Sequence, residues 1–248
     1  MTATPALSVQ TYSVRDDLGA RTAETFGRLR ALGFQNVEPH DILTDTAGLA
    51  RELETAGLRA PTAHASVLRH GASAVVDAAR RLGIGTVFVP WADPKVFRSR
   101  EGIRALAEEI NAAARLAGDH GVSLGYHNHE FEFQTQIDGV AAWEILVDEF
   151  DDDVVVELDT YWASVGGADV FELIPRRSTR IRALHVNDEP PEPDDPPTLG
   201  VPVVGRLDEV VAVASGHVEL IVVEIVVDGD VFPALERNAG FFQEVLER

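Results

Sequence analysis

Four apolar runs in the second half of the chain each end in an acidic residue or a histidine. The residues at these ends are His127-Asn128-His129-Glu130-Phe131-Glu132, Glu157-Leu158-Asp159, His185 and Glu224. In a parallel barrel the C-terminal ends of all strands lie on one face, so side chains carried there converge. Carboxylate oxygens and imidazole nitrogens from several strands are the ligands that a catalytic divalent cation uses. The spacing therefore predicts a metal site.

The predicted ligands of this metal are Glu132, Asp159, His185 and Glu224. Three carboxylates and one imidazole favour Mn²⁺, Mg²⁺ or Co²⁺, and Zn²⁺ is also compatible with them. Each residue alone has a simpler interpretation, because an acid after a strand is often a helix cap. Their occurrence after four successive strands favours one bound divalent ion.

Such an ion would hold two adjacent oxygens of a hydroxy-ketone and stabilise the enediolate that forms when the neighbouring C–H loses its proton. Glu132 and Glu224 are predicted to remove this proton and to return it on the opposite face, which inverts the carbon. His127 is predicted to be catalytic as an alternative base. His127 and His129 alternate along one strand, so both are expected to face the same side.

Other side chains near strand ends are predicted to contact the substrate. Histidine and glutamate would bind sugar hydroxyls, and a tryptophan would give an apolar wall for a sugar ring. Packing at the rim of the barrel is the simpler interpretation of the tryptophan. The predicted contacts of this kind are Glu38, His64, His129 and Trp162.

Short apolar, β-branched runs alternate with helical patterns along the chain. The predicted strands are Leu7–Thr11, Asn36–Glu38, Ala60–His64, Thr86–Val89, Ser123–His127, Val154–Leu158, Ile181–Val186 and Leu220–Val223. The predicted helices are Thr22–Leu32, Thr46–Ala56, Ala72–Leu82, Glu101–Ala117, Val140–Phe150, Asp169–Ile174, Leu207–Ala214 and Ala234–Leu246. Pro175 is predicted to stop the sixth helix.

Eight β/α pairs in 248 residues predict an α/β protein with a single-domain (β/α)8 TIM barrel over residues 1–248. Glycines that follow helical runs and precede strands support this fold, because glycine commonly ends a helix in such loops. They are Gly33, Gly57, Gly83 and Gly121. A doubly wound sheet is the alternative, but no glycine-rich phosphate loop follows the first strand.

The composition excludes several classes of function. The net charge is −20, from 21 basic and 41 acidic residues, which disfavours binding to nucleic acid. The chain has no cysteine, so disulfides and thiolate zinc sites are excluded. It has neither a signal-like start nor an apolar stretch of about 20 residues. We therefore expect a cytoplasmic protein without a membrane partner. The acidic, proline-rich segment Glu189–Pro197 follows the seventh strand, and it is interpreted either as a stiff, solvated loop or as a rim or lid over the site.

Several motifs have the pattern of a known family. They are Gln10–Asp16, Gly33–Glu38, Tyr126–Phe133, Leu158–Trp162 with Gly166–Asp169, Leu184–Asp188 and Val223-Glu224. With these motifs the chain resembles the sugar phosphate isomerase/epimerase family of xylose-isomerase-like TIM barrels. The resemblance implies one divalent metal on Glu132, Asp159, His185 and Glu224, and a small-molecule sugar as substrate. It also implies that Asn187, where relatives usually carry lysine, contacts the substrate.

The function predicted from these features is a metal-dependent sugar isomerase or epimerase that acts on a keto-sugar or related polyol through an enediolate. One alternative is a metal-dependent lyase or dehydratase that acts on a keto-inositol or a 3-keto-glycoside. An endonuclease of abasic sites is disfavoured by the negative charge. A non-catalytic sugar-binding barrel is another alternative, because Asn187 and the loop at Gly205–Asp208 depart from the family pattern. A homodimer is compatible with such a barrel, although no isolated apolar patch requires one.

Overall fold

The computed structural model describes residues 4–186 and 206–247. Strands appear where β-branched and apolar residues run together, and their bounds agree with the predicted ones to within two residues. The strands that form the main sheet are β1 (Ala6–Gln10), β2 (Asn36–Glu38), β3 (Thr62–His64), β4 (Thr86–Val89), β5 (Ser123–His127), β6 (Val155–Asp159), β7 (Ile181–Val186) and β8 (Leu220–Val223).

These strands form one parallel sheet that curls into a nearly closed barrel. Their order is β2-β1-β8-β7-β6-β5-β4-β3, so only β2 and β3 lack a full ladder between them. A parallel bridge between Asn36 and Arg59 joins these edges, and the His64 N–H donates to the carbonyl of Pro39 at 2.9 Å. The prediction of a TIM barrel is confirmed.

Helices cover the outside of the barrel. They are α1 (Thr22–Ala31), α2 (Thr46–Ala56), α3 (Val67–His70), α4 (Ala72–Leu82), α5 (Arg100–Gly118), α6 (Phe131–Gln134), α7 (Ala142–Asp148), α8 (Thr160–Val165), α9 (Val170–Arg176), α10 (Leu207–Ala214) and α11 (Phe232–Leu246). Two 3-10 helices span Thr11–Asp17 and Pro94–Arg98. Gly57 and Gly83 end α2 and α4 in the left-handed conformation, as expected of glycine there.

Among the described residues, the helices are all too short or too polar to cross a membrane.

Two local predictions are wrong. Pro175 does not stop its helix, since α9 continues to Arg176. The turn still closes because the Arg177 N–H donates to the carbonyl of Leu173 at 3.0 Å. His129 also lies beyond the end of β5 at His127, although the two residues were expected to alternate along one strand. The chain instead turns into α6 at Phe131, and a short hairpin then pairs Gln136–Ile137 with Val140–Ala141.

The interior of the barrel contains an apolar layer below the charged and polar side chains of its C-terminal half. Alternate strand residues face inward, so Val155 and Asp159 lie on the same side of β6, and Ala183 and His185 on the same side of β7. We call this layer the apolar plug; it consists of Phe88, Val155, Ala183, Leu220 and Val222. This layer lies directly below the polar side chains at the C-terminal end of the barrel.

Gly125 of β5 faces this plug, and replacing it with alanine is expected to destabilise the fold. A Cβ atom there would lie 2.5 Å from the carbonyl oxygen of Val155 and 2.6 Å from the ring of Phe88. Overpacking of this kind costs about 1–3 kcal/mol. Urea denaturation would measure the loss. Gly118→Ala is the control, because a Cβ there meets nothing within 4 Å; equal losses in the two variants would contradict the packing argument.

Candidate metal centre

The barrel brings together four side chains that could hold a metal ion, at the C-terminal ends of β5 to β8. His127 ends β5, Asp159 ends β6, His185 lies near the end of β7, and Glu224 directly follows β8. Each offers one ligand atom, and these four atoms all lie within 4.8 Å of one another. The first three residues are buried, whereas the Glu224 side chain is 21% exposed. We call these four residues the ligand group; it opens outward at Glu224.

Hydrogen bonds between side chains and the backbone hold the ends of β5 and β6 in place. The Asn128 side chain donates to the carbonyl of Asp159 at 3.1 Å, and the Asp159 N–H donates back to Asn128 Oδ1 at 3.0 Å. Asp159 also caps α8, since its Oδ1 accepts from the Trp162 N–H at 2.8 Å. The second carboxylate oxygen of Asp159 remains for a ligand. Burial raises the pKa of Asp159 to about 7, and a cation beside it would favour its ionised form.

The two imidazoles of the ligand group are in different electrostatic environments. Burial together with the nearby His185 and His64 holds the pKa of His127 well below its usual range, so His127 is neutral. For His185, burial is outweighed by Glu157, Glu224 and Glu38, which raise its pKa well above the usual range. Its Nδ1 lies 3.1 Å from Glu224 Oε2. A neutral imidazole is the form that binds metals.

A second set of buried polar groups lies beneath the ligand group. We call Glu38, His64 and Glu157 the lower cluster. His64 Nε2 lies 2.6 Å from Glu157 Oε2 and 3.1 Å from Glu38 Oε1. Gln10 donates to Glu38 Oε1 at 2.8 Å. Glu38 and His64 were predicted to contact substrate; the structure buries them in contacts with each other and with the ligand group.

The sequence reasoning assigned no role to Glu157. A signal for it exists, because Glu157 precedes Asp159 by two residues in β6 and therefore faces the same side of the strand. Its side chain has no exposed surface. An acid at a fully buried strand position is rare unless it is paired. The alternation along β6, taken together with burial, would therefore have identified Glu157 as a candidate site residue.

Glu132 does not join the ligand group. Because the chain turns into α6, its carboxylate lies back against β5 and the preceding loop. Tyr126 donates to its Oε1 at 2.8 Å, and the His129 N–H donates to its Oε2 at 2.9 Å. The residue is fully buried, and burial raises its pKa to about 8. In the structure Glu132 holds the loop after β5 through these two hydrogen bonds. His127 occupies the position at which the metal ligand of β5 was expected.

The raised pKa of Glu132 has a consequence for stability. Its ordinary value is 4.5 and its value in the folded protein is about 8, so the folded state binds the extra proton between these values. The wild-type protein therefore loses stability as pH rises from 4.5 to 8. Glu132→Gln does not titrate, and its stability relative to the wild type is expected to increase by a few kcal/mol between pH 5 and pH 8.5. Urea denaturation at both pH values measures this; a difference independent of pH would contradict it.

His129 and Trp162 lie beside the ligand group and are half-buried. The ring of His129 lies 5.3 Å from that of His127 and 6.3 Å from that of Trp162. Its Nδ1 is buried without a hydrogen-bond partner among the described residues. Burial lowers the pKa of His129 to about 4, so it is neutral at pH 7. An apolar wall and an unpaired imidazole nitrogen thus adjoin the group.

Part of the predicted site lies outside the described residues. Asn187, the segment Glu189–Pro197 and Gly205 belong to residues 187–205. Their predicted roles in substrate contact and as a lid stay predictions.

Three solved structures show how widely this architecture is shared. A sugar phosphate isomerase/epimerase from Parabacteroides distasonis is 19% identical with a TM-score of 0.80, over 98% of this chain and 94% of that one. The 3-keto-D-glucoside 4-epimerase of E. coli is 12% identical with a TM-score of 0.68, over 97% and 99%. A xylose isomerase-like TIM barrel protein from Mycobacterium smegmatis, in complex with magnesium, is 15% identical with a TM-score of 0.68, over 98% and 96%. At these identities the likeness concerns the fold.

The sequence itself identifies the family. No curated protein sequence gives a significant match. The profile of the xylose isomerase-like TIM barrel family, in contrast, matches residues 18–217, which is most of the chain and includes three residues of the ligand group. The resemblance seen in the motifs is confirmed: this chain belongs to the xylose isomerase-like TIM barrel family.

Proposed function

We propose that this protein is a divalent-metal-dependent isomerase or epimerase of a keto-sugar or related polyol. One observation carries the proposal: His127, Asp159, His185 and Glu224 offer four ligand atoms within 4.8 Å of one another. They lie at the C-terminal face of the barrel, where TIM-barrel enzymes place their active sites.

The donor set fits a divalent ion of borderline character. It consists of two imidazoles and two carboxylates, whereas the set predicted from sequence had one imidazole and three carboxylates. Imidazole suits Zn²⁺ and other transition metals, and oxygen ligands suit Mg²⁺ and Mn²⁺. The exchange of Glu132 for His127 therefore favours Mn²⁺, Co²⁺ or Zn²⁺ over Mg²⁺.

The protein side chains would divide the chemistry between them. A bound divalent cation supplies Lewis acidity towards the carbonyl of a hydroxy-ketone. Glu224 is partly exposed at the opening of the group, and we propose that it removes or returns the proton on the neighbouring carbon. His129 is neutral and has an unpaired nitrogen, so it is the second proton carrier. Glu132 is fully buried, and we give it no proton-transfer role.

The surroundings of the group favour uncharged substrates. The half-buried ring of Trp162 lies beside His129 and would pack against a sugar ring. The chain has a net charge of −20, which repels strongly anionic substrates. We therefore propose a neutral keto-sugar rather than a sugar phosphate. Structural relatives named L-ribulose 3-epimerase and 3-keto-D-glucoside 4-epimerase support the reaction class.

Metal content and solvent-proton exchange test this function together. The purified protein is incubated with Mn²⁺, Co²⁺, Zn²⁺ or Mg²⁺, desalted and measured for bound metal. The loaded protein is then mixed with a panel of unphosphorylated keto-sugars in D₂O and followed by NMR. We expect one ion per chain and deuterium on the carbon next to the carbonyl.

Three other outcomes of this experiment would each contradict a part of the proposal. An eliminated product in place of an epimer would identify a lyase. Tight metal binding without exchange into any sugar of the panel would favour a non-catalytic sugar-binding barrel. If no ion is retained under any loading condition, the proposed chemistry is wrong.

A further inference from the structure

Glu157 of the lower cluster is in contact with both imidazoles of the ligand group. Its Oε2 lies 3.1 Å from His127 Nδ1 and 3.2 Å from His185 Nε2. The same oxygen lies 2.6 Å from His64 Nε2. The Glu157 side chain has no exposed surface. One buried carboxylate oxygen therefore faces three imidazole rings.

These contacts engage one nitrogen of His127, whereas both nitrogens of His185 face carboxylates. His127 uses Nδ1 towards Glu157, which leaves its Nε2. His185 uses Nε2 towards Glu157 and Glu38, and its Nδ1 faces Glu224. An ionised carboxylate only accepts hydrogen bonds, so the His127 Nδ1 that faces Glu157 carries a proton. In the neutral ring of His127, the other nitrogen, Nε2, then has its lone pair available for a metal.

Glu157 and the three histidines around it could also form a deeper metal site. Each of the four residues offers one ligand atom, and these atoms lie within 4.8 Å of one another; the residues are His64, His127, Glu157 and His185. However, Glu157 Oε2 forms hydrogen bonds with His64 Nε2 at 2.6 Å and with His127 Nδ1 at 3.1 Å. A nitrogen that donates to Glu157 cannot also bind an ion there. The geometry favours a hydrogen-bonded support over a second cation.

We propose that Glu157 is a positioning residue that fixes the tautomer of His127 and so presents its Nε2 to the metal. This proposal rests on the metal-dependent function proposed above. The protein groups behind a metal-binding histidine set its ring orientation and its basicity, and their loss commonly lowers metal affinity by about 10–100-fold.

The experiment reads the tautomers directly. Protein labelled with ¹⁵N-histidine and loaded with Zn²⁺ is studied by long-range ¹H–¹⁵N correlation spectra, and single histidine substitutions assign the rings. We expect a proton on Nδ1 of His127 and none on its Nε2. In Glu157→Gln we expect the Zn²⁺ affinity, from chelator competition, to fall about 10–100-fold, together with changed nitrogen shifts of the His127 ring.

Glu38→Gln is the matched control. Glu38 is equally buried and contacts His185 and His64, but its recorded contacts do not include His127. We expect Glu38→Gln to leave the Nδ1 proton of His127 in place. Thermal unfolding of both variants shows whether a change is local or reflects loss of the fold. The wild-type spectrum tests the tautomers even if Glu157→Gln does not fold.

The outcomes separate this proposal from the proposed function. A proton on Nε2 of His127 in the loaded protein would overturn the role of Glu157. Two Zn²⁺ ions per chain, one of which is lost in Glu157→Gln, would also overturn it and identify the deeper metal site. Failure of the wild type to bind any ion would overturn the proposed function, whatever tautomers the unloaded protein shows.

Discussion

Replacing Glu224 by glutamine is expected to lower the affinity for Mn²⁺ by about 100-fold or more. The substitution removes one of two carboxylates from the ligand group and leaves a neutral amide in its place. Metal ligands must be deprotonated anions or neutral imidazoles, and the loss of a ligand costs more than the 10–100-fold that supporting groups contribute. Glu224 is partly exposed, so the variant should fold. Isothermal titration calorimetry of the metal-free proteins measures the effect.

Glu132→Gln is the matched control for this experiment. It removes a carboxylate of the same length from the neighbouring loop, and Tyr126 and His129 already occupy its two oxygens. We expect this variant to bind Mn²⁺ as the wild type does. The ligand assignment would be wrong if Glu132→Gln lost the ion while Glu224→Gln retained it, and that result would restore the set expected from the sequence.

Replacing His129 by glutamine is expected to slow solvent-proton exchange into the substrate by about 10²–10⁴-fold while the metal stays bound. This is the range that general acid–base groups contribute. His129 lies beside the ligand group without belonging to it, so metal affinity and proton transfer should separate in this variant. The initial rate of deuterium incorporation and the metal affinity are measured on the same preparation.

His217→Gln controls for the loss of a histidine in general, because His217 is exposed on the loop before β8. Its exchange rate should equal that of the wild type. If His129→Gln exchanges protons at the wild-type rate, His129 does not carry the proton. If it loses the metal, its role is structural support of the group.

The pattern of residue types was sufficient for the barrel. Strand positions such as Val222 and Val223 and helix-ending glycines such as Gly57 act through local physics. β-branched residues favour extended backbone, and glycine tolerates the left-handed conformation that ends a helix. These preferences repeat eight times along the chain, and the eight-stranded parallel barrel is the arrangement that follows. The errors fell on short pieces such as α6 and the end of α9, which periodicity does not resolve.

The side chains of the site were only partly predictable. Asp159, His185 and Glu224 follow strands directly, and strand direction alone carries them to one face. Glu132 stands five residues beyond the end of β5, and its position depended on whether the chain continued straight or turned. The turn into α6 moved Glu132 back against Tyr126, and His127 became the residue of β5 in the ligand group.

The sequence by itself determined the family and the parallel barrel. It also determined at which end of the barrel the acidic and histidine side chains gather. These features follow from periodicity, strand direction and local motifs. Only the tertiary structure decided that Glu157 lies behind His127 and His185. It likewise decided that Glu38 and His64 lie beneath the ligand group. Those contacts join residues as far apart as Glu38 and His185. They form because the barrel brings both strands to one interior, where buried charges must pair with each other.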